Sequence, residues 1–106
     1  MKTSLKVAVM IGLAAAIALP VLAQTSGADV YKAKCQMCHG PDGTANTPAG
    51  KAIKASSFKS PAVKNASNAD LIAVVHNGKG KMPAYGTKLS DAQIKAAVAY
   101  IRTLQK

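Results

Sequence analysis

The stretch CQMCHG, residues 35–40, places two thiols and an imidazole within five residues. The chain has no other cysteine and only one further histidine, His76. Residues three and four positions apart lie on the same face of a helix, so Cys35, Cys38 and His39 can be presented to one object. That object must be large and flat enough to meet three side chains at once.

The spacing C-x-x-C-H is the attachment signature of c-type haem, in which the two thiols bind haem vinyl groups as thioethers and the imidazole binds iron. A structural zinc site needs four protein ligands, and the two histidines here lack a usual paired spacing. A thioredoxin-like redox pair belongs in a βαβ context, which this sequence does not predict. We therefore predict one covalent haem c on Cys35 and Cys38, with a redox pair and a zinc module as the alternatives.

The N-terminal segment has the pattern of a secretory signal peptide. Two lysines precede an apolar run over residues 7–19, and small or aliphatic residues follow at a cleavage site before Gln24. The alternative, a retained membrane anchor, would have to use a stretch shorter than the roughly 20 apolar residues that span a bilayer. We expect residues 1–23 to be a cleaved signal peptide and residues 24–106 to form one domain in the bacterial periplasm, with a thylakoid lumen as the alternative.

The remaining domain is small and strongly basic. It keeps 12 of the 14 basic residues and all four acidic ones, because the removed segment contains only Lys2 and Lys6. A chain of this size buries only about 60% of its unfolded surface, and only four of its residues are aromatic. A bulky cofactor would supply the missing apolar surface. Nucleic-acid binding is not expected, because the chain carries an export signal and no recognition motif.

Serine residues mark the starts of three predicted helices. Ser26 caps a helix that runs towards Cys38. Ser67 begins a capping-box pattern before a helix that ends at residues 77–78. Ser90 begins a second capping box. The helix that follows it carries one apolar face, formed by Ile94, Ala97, Val98, Ile101 and Leu104.

Long polar segments separate these helices. We predict residues 40–66 to be a loop with one short helical turn, and residues 78–88, GKGKMPAYGTK, to be a loop rich in glycine and lysine. No alternating apolar pattern of strand length occurs. The sequence therefore predicts an all-α fold, with three main helices and long loops wrapped around one haem.

A second axial ligand for the iron is sought among methionine and histidine. Two of the four methionines lie in the predicted signal peptide, and Met37 is too close to the attachment cysteines to reach the opposite haem face. Met82 precedes Pro83, which favours an extended loop, whereas His76 lies near a predicted helix end. We predict His39 and Met82 as the axial ligands; ligation by His76 and an open sixth position are the alternatives.

Together these features resemble the class I monohaem cytochromes c, in particular the short bacterial and photosynthetic members. The resemblance covers nearly all of residues 26–106. Its markers are the Gly27 to Tyr31 spacing, C-x-x-C-H at 35–39, GKMPAY in the second loop, and Ala99-Tyr100 in the last helix.

The resemblance implies that the first and last helices cross near Gly27, with Tyr31 and Tyr100 in the junction. It implies that His39 and Met82 lie on opposite haem faces.

The resemblance also implies further residues around the haem. Family members use a proline carbonyl to accept a hydrogen bond from the second nitrogen of the proximal histidine, and Pro48 is the candidate here. Phe58 and Tyr85 are expected near the haem, although ordinary core packing accounts for both equally well.

A haem iron with two protein ligands has no position for a substrate, so the expected function is one-electron transfer rather than an enzyme activity. The alternative is a haem enzyme or gas-binding protein, peroxidase-like, with a displaceable sixth ligand. Lys79, Lys81 and Lys88 flank the Met82 loop and predict redox partner proteins with acidic docking patches. Dispersed lysines that only solubilise the domain are the alternative reading. We expect a monomer that does not span the membrane after signal cleavage.

Overall fold

The computed structural model describes residues 26–106, so the predicted signal peptide lies outside the described residues. Those residues form six helices and no strand, apart from an isolated antiparallel bridge between Lys79 and Met82. The prediction of an all-α fold is confirmed. The helices are α1 (Gly27–Lys34), α2 (Gln36–His39), α3 (Pro48–Ile53), α4 (Pro61–Lys64), α5 (Asn68–Asn77) and α6 (Asp91–Leu104).

Helices α1 and α6 cross at Gly27, as the resemblance implies. A β-carbon at Gly27 would overlap the carbonyl oxygen of Ala96 and would lie 3.2 Å from the β-carbon of Tyr100. Tyr31, which is 1% exposed, fills the junction with its ring centroid 5.2 Å from that of Tyr100. The phenol of Tyr31 donates a 2.6 Å hydrogen bond to the carbonyl of Gly40. This bond joins the crossing to the end of the C-x-x-C-H segment.

The apolar face of α6 forms the centre of the core, as its spacing predicts. Ile94, Ala97, Val98 and Ile101 are buried. Full burial of a side chain such as Ile94 contributes about 1.5–3 kcal/mol. The helix begins at the predicted capping box, because Ser90 accepts from the backbone of Gln93 while the Gln93 side chain accepts from the backbone of Ser90.

The segment over residues 40–66 contains two short helices, where the sequence predicted one helical turn. Both α3 and α4 have proline as their first residue, a position at which its missing N–H is not needed. Thr47 caps α3 by accepting a 2.9 Å hydrogen bond from the backbone of Gly50. The predicted first helix is likewise interrupted at Cys35, where the backbone φ of −114° separates α1 from α2.

Helix α5 and the chain that follows it form one connected unit. The hydroxyl of Ser67 caps α5 at the backbone of Asp70, and Gly78 ends the helix with a φ of 79°. The returning chain is bonded to the last turn of α5, because the backbone N–H groups of Tyr85 and Gly86 donate to carbonyls of that turn. This arrangement fixes where the loop containing Met82 begins and ends.

Across residues 26–106, none of the helices combines the length and apolar character that crossing a membrane requires.

Candidate functional site

A cavity of about 960 Å³ opens between the C-x-x-C-H segment and the Met82 loop. Its volume is near the upper end of the range of roughly 300–1,000 Å³ that is typical of cofactor and ligand sites. Six of the seven residues predicted for the site line this one cavity. They are Cys35, Cys38, His39, Phe58, Tyr85 and Met82.

The two thiols enter the cavity from the junction of α1 and α2. Cys35 is buried, Cys38 is half-buried, and they are not joined in a disulfide. Burial raises the pKa of the Cys35 thiol to about 11. The thiol is therefore protonated at neutral pH, and the site as folded does not favour a reactive thiolate at Cys35.

His39 presents a neutral imidazole to the same space. Burial lowers the pKa of His39 below its ordinary value, which favours the uncharged form that binds metals. The ring stacks on Phe58, with centroids 4.5 Å apart and planes inclined by 23°. Its Nδ1 atom is buried and has no hydrogen-bond partner within residues 26–106.

Pro48 is the seventh predicted residue, and its role as the acceptor for His39 stays a prediction. It is exposed at the start of α3, does not line the cavity, and forms no hydrogen bond with the imidazole. The helix approaches the C-x-x-C-H segment through Gly50, where a β-carbon would overlap the carbonyl oxygen of Cys38. The hydroxyl of Thr47 donates to the Met37 carbonyl at 2.8 Å.

Phe58 and Tyr85 both form part of the cavity wall, which the sequence could not separate from ordinary core packing. Phe58 is 7% exposed and meets the ring of Tyr31 edge-on at 6.2 Å. Tyr85 is half-buried, and its hydroxyl donates a 3.2 Å hydrogen bond to the carbonyl of Lys34. Burial raises the pKa of Tyr85, so its phenol remains a donor.

Met82 lies on an extended turn at another side of the cavity. Its backbone exchanges hydrogen bonds of 3.1 and 2.9 Å with Lys79, and Gly80 between them has a φ of 58°. A β-carbon at Gly78 would come within 2.8 Å of the Met82 carbonyl, so glycine is required there. The Met82 side chain packs against the core cluster that contains Val75.

His76, the alternative sixth ligand, lies outside the cavity lining. Its Nδ1 is 2.9 Å from the side-chain oxygen of Asn77, and its ring leaves no room for a β-carbon at Gly86. In the part of the chain that the structure describes, no three Cys, His, Asp or Glu residues come together as a metal-binding group. The described residues therefore contain no group of ligands that fits the alternative of a four-ligand zinc site.

Several apolar wall residues were not identified from the sequence as site residues. The available signal was the helical spacing of Leu71, Val74 and Val75 in α5, which predicts one buried face but not what that face contacts. The additional apolar wall residues include Ile53, Val63, Leu71, Val74 and Ile101.

Basic side chains predominate among the charged residues around this cavity. Lys34, Lys79 and Lys81 are exposed residues of its lining, and Asp70 is its acidic member. The ammonium of Lys88 lies 5.5 Å from the centre of the Tyr85 ring, within cation–π range. The cavity therefore has a positively charged rim around apolar walls.

The donor set fits a c-type haem. Two thiols, a neutral imidazole and a thioether converge on one large apolar cavity, and these are the groups that attach and ligate such a haem. The small number of aromatic side chains is consistent with a core that is completed by a flat cofactor.

Residues 22–101 match the family described as "Cytochrome C oxidase, cbb3-type, subunit III". The chain is 40% identical over 81 residues to cytochrome c6 of Picosynechococcus sp., a match that covers 72% of this chain and 68% of that protein. It is 32% identical to the cbb3-type cytochrome c oxidase subunit FixP of Azorhizobium caulinodans. That match covers 77% of this chain but only 27% of FixP.

A solved structure shares the fold. The KustC0563 c-type cytochrome superposes with a TM-score of 0.70 at 28% sequence identity, over 76% of this chain and 99% of that one. The sequence match and the structural match therefore point to the same family of haem proteins.

Proposed function

Because this chain belongs to the class I monohaem c-type cytochromes, we propose that it is an exported one-electron carrier with its haem iron bound by His39 and Met82. The observation that carries the proposal is the single apolar cavity lined by Cys35, Cys38, His39 and Met82. Family membership gives the cofactor, one covalent haem c. The cavity lining supports the assignment of its ligands.

The residues of the cavity have distinct roles in this proposal. Cys35 and Cys38 hold the haem covalently, and burial keeps the imidazole of His39 neutral for coordination. The bound haem supplies a reversible ferric–ferrous couple. Met82 offers a thioether, which raises the reduction potential relative to a second imidazole. The apolar walls exclude water and disfavour extra charge, so the potential is moderately positive.

The surface around the cavity supports transfer to a protein partner. Met37 is 78% exposed between the two attachment cysteines, the one large hydrophobic residue so exposed in the described part of the chain. Met37 does not line the cavity, whereas the lysines of the rim do. An acidic partner would be steered to this rim and would form a brief, salt-sensitive complex with an apolar contact.

The proposed location follows from the N-terminal pattern. Residues 1–23 act as a signal peptide that is removed on export, and the haem-bearing domain works as a monomer in the periplasm.

Substitution of Met82 tests the ligand assignment against the haem-enzyme alternative. Met82→Ala is expected to lower the reduction potential and open a position for added imidazole or carbon monoxide, while covalent attachment is retained. Met37→Ala is the matched control, because Met37 is exposed and does not line the cavity. An unchanged potential and visible spectrum in Met82→Ala would refute Met82 ligation. A wild-type protein that already binds these ligands rapidly would support the enzyme or gas-binding function.

The role of the positively charged rim in docking is tested with one small inorganic oxidant. Lys79→Glu/Lys81→Glu should slow electron transfer to ferricyanide, an anion, and should weaken the dependence of the rate on ionic strength. The control is Lys51→Glu/Lys95→Glu, which changes the net charge equally at exposed residues outside the cavity lining. Equal effects of the two pairs would show that net charge alone, and not this rim, controls the encounter.

A further inference from the structure

We infer that Arg102 is a positioning residue that fixes the cavity wall over residues 58–68 and places a positive charge behind it, which raises the reduction potential of the bound haem. The inference rests on the proposed function, because it concerns a haem held in this cavity.

The wall over residues 58–68 has little regular structure of its own. Phe58, Ala62, Val63 and Ala66 line the cavity. Helix α4, which lies wholly within this range, has four residues. Isolated helices shorter than about 12 residues are marginal in water, so contacts with other parts of the protein must hold the wall in place.

The guanidinium of Arg102 supplies several of these contacts from α6. It donates to the backbone carbonyls of Val63 and Ala66. Its Nε donates at 2.8 Å to the side-chain oxygen of Asn68. One planar group thus bonds the end of α4, the chain that follows it and the start of α5. Such a fork of fixed donors is particular to arginine, whose five N–H groups lie in one plane.

Gln105 extends this connection to the other end of the wall. Its side-chain oxygen accepts a 3.0 Å hydrogen bond from Nη1 of Arg102, and its side-chain nitrogen donates at 3.0 Å to the carbonyl of Phe58. The neighbouring Ile101 is buried and lines the same cavity. The two polar side chains are therefore anchored beside a residue that the core holds in place.

The charge of Arg102 is not cancelled by the partners of its guanidinium. These acceptors are uncharged oxygens of Val63, Ala66, Asn68 and Gln105. Arginine stays protonated in proteins. Because oxidised iron carries one more positive charge than reduced iron, a nearby cation disfavours the oxidised form. Arg102 is half-buried, so salt screens its charge less than that of an exposed lysine.

Reduction potentials of the haem-loaded protein test the role of the charge. Arg102→Met should lower the potential, whereas Arg102→Lys keeps the charge and should retain most of the wild-type value. Lys95→Met is the matched control, because it removes the same charge from an exposed position of α6 outside the cavity lining. At an ionic strength of about 0.1 M the Debye length is about 10 Å, so this control should shift the potential much less.

Three results would overturn the role of the charge. An unchanged potential in Arg102→Met is one. Equal shifts in Arg102→Met and Lys95→Met are another, because net charge would then explain both. A potential as low in Arg102→Lys as in Arg102→Met is the third, because both variants lose the planar fork and only one loses the charge.

Amide hydrogen exchange tests the positioning of the wall separately. The backbone N–H groups of residues 63–66 donate within the wall. Arg102→Met and Arg102→Lys should both speed their exchange more than that of α1, because neither side chain has the planar fork of donors. Unchanged exchange in both variants would overturn the positioning role.

Asn68→Asp keeps the inference testable if the Arg102 variants do not fold. It offers a carboxylate to Nε of Arg102, so the charge is cancelled while the bond is retained. The potential should fall, while exchange over residues 63–66 stays as slow as in the wild type. Asn65→Asp is the control, because it adds the same charge at an exposed residue of the same wall and should lower the potential less. An unchanged potential in Asn68→Asp, or an equal fall in the control, would contradict the inference.

The wild-type spectrum separates this inference from the proposed function. Absence of His39 and Met82 ligation in that spectrum would overturn the proposed function, whereas the potentials of the variants bear on Arg102 alone.

Discussion

Replacement of Gly50 by alanine tests how α3 is seated on the C-x-x-C-H segment. A β-carbon at Gly50 would overlap the carbonyl oxygen of Cys38, lie 2.6 Å from that of Ala45, and lie 3.0 Å from the hydroxyl of Thr47. Two of these three obstacles are backbone atoms, which cannot rotate away. The 2.6 Å contact is about 0.7 Å shorter than the roughly 3.3 Å at which carbon and carbonyl oxygen ordinarily meet. Helix α3 must therefore move away from the haem-binding segment.

The expected size of the effect combines two opposing contributions. Overpacking a well-packed site costs about 1–3 kcal/mol, and backbone obstacles place Gly50→Ala near the upper value. Alanine gains about 1 kcal/mol over glycine from its helix propensity. The net expectation is a loss of about 2 kcal/mol in the free energy of unfolding.

Urea unfolding of the haem-loaded protein measures this loss, with unfolding followed by circular dichroism. Ala52→Gly is the matched control, because Ala52 is an exposed residue of the same helix. It should cost only about 1 kcal/mol, the propensity difference alone. If packing at Gly50 were unimportant, Gly50→Ala would stabilise the protein by a similar amount. A stabilising or neutral Gly50→Ala would refute the packing argument by its sign.

Three further predictions concern the framework of the site. Tyr31→Phe removes the phenol bond to the Gly40 carbonyl, which keeps only the 3.3 Å bond from the backbone of Gly43, and should cost about 1 kcal/mol in urea unfolding. Burial also raises the pKa of Tyr31 above its unfolded value. The contribution of the protonated phenol to the free energy of unfolding is therefore complete below about pH 10 and declines at higher pH. The free energy of unfolding should therefore fall less steeply with rising pH in Tyr31→Phe. An unchanged slope would show that ionisation of Tyr31 does not cause the loss. Ser90→Ala removes one half of a capping box and should lower the free energy of unfolding by about 1 kcal/mol. Arg102→Leu removes side-chain bonds to Asn68 and to the backbone before α5, and it should increase amide exchange over residues 63–68 more than in α1.

Local signals allowed much of the fold to be predicted from the sequence. Capping serines and a single apolar stripe gave the starts of three helices and the buried face of α6, because such features act within a few residues. The two short helices in residues 40–66 were harder, since their apolar residues are too few to show a period. The proline at the first position of each was their usable signal.

Local signals likewise predicted some residues of the candidate site but not the contacts between its segments. The thiols, His39 and Met82 could be predicted as site residues because their chemistry is restricted to a few residues of this chain. Pro48 as the acceptor for His39 stays a prediction, because local patterns do not specify how α3 docks on the C-x-x-C-H segment through Gly50. The stack between Phe58 and His39 depends likewise on Gly43 and on the C-terminal end of the chain.

The visible and near-infrared spectrum of the purified, haem-loaded protein tests the central claim most directly. Ligation by His39 and Met82 predicts a low-spin c-type spectrum on reduction and a weak sulfur-to-iron band in the near infrared on oxidation. A low-spin spectrum without that band would contradict ligation by Met82 and direct attention to His76. A high-spin spectrum would contradict the carrier function by showing an open coordination site, and failure to attach haem covalently would contradict the assignment of Cys35 and Cys38.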